Sequence, residues 1–75
     1  MNNERRKQLE ILIQKIEVLK YELENILQEE QFCYDNIPEN LQSSLRAENS
    51  EDAINSMENA IESFDEVIDS INEIM

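Results

Sequence analysis

Apolar residues return every seven positions through the C-terminal half of the chain. Ala53, Ile54 and Met57 are followed by Ala60, Ile61 and Phe64, then by Val67, Ile68 and Ile71, with Ile74 closing the series. Steps of three and four on a 3.6-residue period predict an amphipathic helix, over about residues 50–74. Asn49 or Ser50 suits its N-cap, and Glu51 and Asp52 fall in its first turn, where carboxylates favour the helix dipole. The N-terminal half carries a second such series: Leu9, Leu12, Ile16, Leu19, Leu23 and Ile26, widened by Ile13 and Leu27. It predicts a helix over about residues 3–33. At about 1.5 Å per residue each helix is roughly 35–45 Å long, and the matched lengths suit an antiparallel hairpin.

The connection carries its own pattern. Asp35-Asn36-Ile37-Pro38 reads as a stop and a restart, because proline fits the first turn of a new helix. Ile37, Leu41 and Leu45 then recur every four residues. A short connecting helix is expected over about 38–44, its apolar side capping one end of the hairpin together with Phe32 and Tyr34.

Charge supports the antiparallel arrangement. Arg5, Arg6 and Lys7 sit at the start of the first helix, and Asp69 and Glu73 at the end of the second. Each group is at the unfavourable end of its own dipole. An antiparallel hairpin sets the two groups side by side, so each offsets the other, although exposed pairs contribute only about 0.2–1 kcal/mol each.

The first helix also has apolar residues away from its main stripe. Ile11, Val18 and Phe32 share one heptad position on the opposite side, with Tyr21 beside them. Single exposed apolar residues are ordinary on a surface. A continuous strip instead suggests a second copy or another partner. The expected fold is all-α: an antiparallel helical hairpin with a short connecting helix, dimerising into a four-helix bundle through this strip.

Composition narrows the picture. The 75 residues make one domain, 1–75, and include no glycine, no histidine, one proline and one cysteine, Cys33. A chain this small commonly needs oligomerisation, a metal or disulfides. A lone cysteine excludes an internal disulfide and fits a reducing, cytoplasmic setting. No apolar run is long enough for a signal peptide or a membrane span, so no membrane partner is expected. A net charge of −12 argues against direct nucleic-acid binding.

Catalytic chemistry is not supported. Without histidine there is no Ser-His or Cys-His dyad, no usual zinc site and no Glu-x-x-His di-iron pair. Without glycine there is no phosphate-cradling loop and no calcium loop of the helix–loop–helix type. No catalytic residue, metal or cofactor is expected, and Cys33 reads as a small apolar residue.

The C-terminal segment is one-signed. Residues 47–75 hold nine carboxylates and no cation. Such a run commonly serves as a solvated face. A merely soluble helix, however, normally intersperses lysines for pairing four residues apart. Over roughly 40 Å of helix the density is about one charge per 4 Å, against about one per 1.7 Å in duplex DNA. Two such helices in a dimer approach that density. Glu58, Glu62, Asp65, Glu66 and Asp69 are therefore the candidate partner-binding acids, facing a protein with a basic groove. Arg46, the only cation after Lys20, is a candidate specific contact, its plainer reading being a local pair with Glu48 or Glu39. Tyr21 is the other candidate contact.

One resemblance adds to this. The stretch from Arg5 to Leu19, Glu29-Glu30-Gln31, Asp35-Asn36-Ile37-Pro38-Glu39-Asn40-Leu41-Gln42-Ser43, then Arg46, Glu48, Ser50, Glu51 and Ala53 resemble a group of small, acidic, all-helical proteins of phages and mobile elements of Firmicutes. The similarity covers nearly the whole chain, with Asn-x-Pro-Glu-x-Leu-Gln as its moderately specific core. Cys33 and Leu45 depart from the pattern. The resemblance implies a phage-type protein acting in a host cytoplasm. By analogy it implies an inhibitor of a bacterial defence component, of anti-CRISPR or anti-restriction type. The alternatives are a non-enzymatic assembly or regulatory coiled-coil module, and a small-nucleotide sponge using Arg5, Arg6 and Arg46 from two subunits.

Overall fold

A computed structural model describes residues 1–41 and 44–75. Helix α1 spans Asn3–Asp35, a single 3-10 turn spans Glu39–Leu41, and helix α2 spans Leu45–Ile74. The helices pack against each other as a hairpin. Two cross-helix contacts fix its direction: Lys20 meets Asp65 and Glu30 meets Ser50, so rising numbers on α1 pair with falling numbers on α2.

The helix ends follow from local chemistry. Asn2, in extended conformation, accepts the Arg5 N–H on its side chain at 2.8 Å and so caps α1. Asn36 closes it: both its backbone N–H and its side-chain amide donate to the Phe32 carbonyl. No residue needs a positive φ among those described, so the missing glycine costs nothing at this turn. Ser44 caps α2 by accepting the Ala47 N–H at 3.3 Å.

Three expectations change here. Helix α2 starts at Leu45, with Ser44 as its cap rather than Asn49 or Ser50, and Ser50 is buried inside the helix. Of the short helix expected over 38–44, the described residues form the 3-10 turn Glu39–Leu41, held by the Leu41 N–H on the Pro38 carbonyl, and 42 and 43 lie outside the described residues. Of the side chains expected to cap that end, Ile37 is buried and Tyr34 half-buried, but Phe32, Leu41 and Leu45 are exposed. Phe32 is on the outer side of α1, Leu45 opens α2, and of the three only Leu41 belongs to the short turn.

The seam also differs from the expected stripe. On α1 it runs through Leu9, Ile13, Ile16, Lys20, Leu23 and Leu27, and Leu12, Leu19 and Ile26 stay 45–54% exposed. One neighbour covers only part of a wide apolar stripe, and α2 covers the Ile13 side. On α2 the seam runs through Ala47, Ser50, Ile54, Met57, Ile61, Phe64, Ile68 and Ile71.

The result is a thin rod of 59 × 15 × 12 Å. Its radius of gyration is 17.3 Å, where a globular chain of this length has about 11 Å. Among the described residues the buried apolar side chains are Ile13, Ile37, Ala47 and Ile54, and no large side chain is fully buried.

Candidate functional site

The two helices give the rod two unlike faces. Lys20 identifies one of them. Its ammonium donates to the Asp65 carboxylate at 2.6 Å and lies 3.7 Å from Glu24. On α1, Glu10, Glu17 and Glu24 share one heptad position on that side. On α2, Glu51, Glu58 and Asp65 share the matching position. Antiparallel packing lays these two rows next to each other as a ribbon of carboxylates, all exposed except the half-buried Glu24.

Lys20 is the one basic side chain paired with this ribbon among the described residues. The hydrogen bond it donates to Asp65 is the main cause that raises its pKa above 10.5, with Coulombic attraction from Asp65 and Glu24 adding to it and desolvation opposing. The seam therefore carries a permanent cation at its centre, which neutralises part of the ribbon there.

The candidate acids divide around α2. Glu58 and Asp65 lie on the ribbon, and Glu62 and Asp69 form its shoulder one turn further round. Glu66 falls on the side of α2 away from α1. Tyr21, exposed, stands one turn from both Glu17 and Glu24 and borders the ribbon on α1. Arg46 is not with the acids. It lies at the closed end, in an open hollow shared with Glu30, Cys33, Ile37, Leu45 and Asn49, and it makes no ion pair with Glu39 or Glu48. Ile11, Val18 and Phe32 are 53–71% exposed on the side of α1 directly away from α2. Arg5, Arg6 and Lys7 reach neither Asp69 nor Glu73 within ion-pair distance, although the ends are adjacent: Arg5, Leu9 and Leu12 share a hollow with Ile74.

The α1 half of the ribbon is what the sequence reading missed. Glu10, Glu17 and Glu24 repeat every seven residues, a signal masked by Lys7, Lys15 and Lys20 nearby. Also missed was the inter-helix hydrogen bond of the Ser50 hydroxyl, which donates to Glu30 at 2.6 Å.

Among the described residues no group of three or more His, Cys, Asp or Glu is placed to hold a metal ion, and no helix is long and apolar enough to cross a membrane. Arg5 and Arg46 stand at opposite ends of the 59 Å rod, so a single chain does not bring them to one nucleotide. Set against known proteins, the chain matches no family model, no curated sequence and no solved structure.

Proposed function

We propose that this chain is a non-enzymatic binding protein that docks its two-helix acidic ribbon into a basic groove of a protein partner, and that it acts as an inhibitor there. The observation that carries the reading is the pairing of Glu10, Glu17 and Glu24 with Glu51, Glu58 and Asp65 on one face. Two rows of like charge are held side by side at the cost of mutual repulsion, with one lysine between them. A surface needed only for solubility would mix its signs. A groove lined with Lys and Arg, of the kind that takes a nucleic-acid backbone, is the complementary surface. The resemblance to phage and mobile-element proteins directs the proposal to bacterial defence enzymes, and dimerisation into a four-helix bundle belongs to the same proposal.

The test is a plaque assay on cells carrying a restriction or CRISPR system. The wild-type chain is expected to restore phage growth. The triple variant Glu17→Lys, Glu58→Lys, Glu62→Lys is expected to lose that effect while keeping its helical circular dichroism. Full protection of the phage by the triple variant rejects the acidic ribbon as the binding surface. Binding to the isolated target should weaken steeply as salt rises.

The assembly-module reading has its own support in the exposed apolar residues Leu12, Leu19, Ile26, Val67 and Ile74. It predicts association with weak salt dependence, since apolar area drives it.

A further inference from the structure

The face opposite the acidic ribbon is apolar, and both helices build it. Leu12, Leu19 and Ile26 recur every seven residues on α1, and Ala53, Ala60, Val67 and Ile74 do so on α2. The two ends of the rod show that these rows share a side: Leu12 meets Ile74 in one hollow, and Cys33 meets Arg46 in another, each pair continuing the two rows. Beyond the α2 row come Ser56, Ser63 and Ser70. In a chain of net charge −12 this whole side of α2 carries no carboxylate of its own, and Glu66 reaches only its outer rim.

We propose that this face is the interface with a second copy of the same chain, the two hairpins stacking face to face into a four-helix bundle with α1 of each lying over α2 of the other. Four observations converge on a second copy as the occupant. The first is the missing layer: a rod one helix thick leaves much of its seam half-wet and, among the described residues, no large side chain fully buried. The second is size. The α2 row from Ala53 to Ile74 runs about 32 Å along the 59 Å rod, long enough to seat a second pair of helices.

The third is self-complementarity. The α1 row is large (Leu12, Leu19, Ile26), and the α2 row beside it is small through Ala53 and Ala60. A two-fold axis along the rod sets the large row of one copy on the small row of the other, which interdigitates the layers. The same operation places Glu22 and Glu29 beside Ser56 and Ser63 rather than beside another carboxylate. The fourth is charge. Stacking through this face turns both acidic ribbons outward on opposite sides of the bundle, whereas any stacking through the ribbons sets like charges against each other.

This interface competes with the outer strip of Ile11, Val18 and Phe32, and it stands independently of what the acidic ribbon binds. Sedimentation equilibrium on the full chain decides it. The expected mass is twice 8.9 kDa. Val67→Glu and Ala60→Glu, each setting a carboxylate in the interface, are expected to raise the dimer dissociation constant by about a hundredfold or more. Val18→Glu is expected to leave it unchanged. Should the glutamate variants also lose helix, the thermal midpoint of the wild type carries the test, since it rises with protein concentration for a dimer. A monomeric wild type, a midpoint independent of concentration, or a dimer that survives Val67→Glu and fails with Val18→Glu overturns the proposal. The first two outcomes would leave the face to a different protein, and the third would assign the interface to the outer strip.

Discussion

The two ends of the hairpin are built from the same pair of helices and are sealed very differently. At the closed end Ala47 is fully buried, Ser50 and Ile54 are buried, and Ile37 from the connection, itself buried, lines one hollow with Ser50. Toward the open end the seam side chains are larger: Ile61, Phe64, Ile68 and Ile71. Each of those remains only half-buried. Side-chain size therefore does not decide burial here. Ile13 is buried between the two helices even at the open end, while at the closed end Ile37 adds a third wall beside Ser50. Small residues let the helices approach and a third segment excludes water, whereas two cylinders touching along a line leave both flanks open.

This contrast can be broken or sharpened by substitution. Ile54→Ala, at the sealed end, should cost the most, about 2–4 kcal/mol in urea unfolding, and the same change at half-buried Ile68 should cost clearly less. The second copy proposed above would cover one flank of the open end and leave the ribbon side wet, so equal losses at both positions would mean that both flanks are sealed in solution. Ala47→Leu should cost about 1–3 kcal/mol, because the close approach at Ala47 leaves no room for added methylenes.

Ser50→Ala should cost about 1 kcal/mol, through loss of its hydrogen bond to Glu30, and the thermal midpoint should fall accordingly. The smallest effect belongs to the centre of the rod. The Lys20 pKa is raised by Asp65, so its contribution is complete below 10.5 and disappears as pH rises through the raised value. Wild type should therefore lose slightly more stability than Lys20→Gln between neutral pH and about pH 11, with the other titrating groups common to both chains. Identical alkaline profiles would show that the pair contributes nothing.

Much of the fold was legible from spacing alone. The two helices, the break at Asp35–Pro38 and the antiparallel direction all followed from periodicity, proline and end charges. The direction came out as expected although Arg5, Arg6 and Lys7 pair with neither Asp69 nor Glu73. The start of α2 did not come through. Ala47 and Ser50 extend its seam, but small residues leave no hydrophobic signal, and Ser44, Asn49 and Ser50 are all acceptable caps by type. The seam of α1 was misplaced for a related reason. Leu12, Ile13, Leu19 and Ile26 all belong to one wide apolar sector, and nothing local says which part a single neighbour covers.

The candidate site shows the same division. The one-signed run of α2 was visible at once, because no cation interrupts it. The contribution of Glu10, Glu17 and Glu24 was not, since their role depends on lying beside Glu51, Glu58 and Asp65 across the seam.

Taken alone, the sequence determined that this chain forms two amphipathic helices of matched length with an acidic excess on the second. Those properties are set by residue spacing and composition within each helix, where every relevant neighbour is three or four positions away. Only the tertiary structure decided how each helix is rotated about its axis. That rotation depends on contacts between residues about 20 to 45 positions apart, such as Glu30 with Ser50 and Lys20 with Asp65. It is what sorts the same residues into an acidic face and an apolar one.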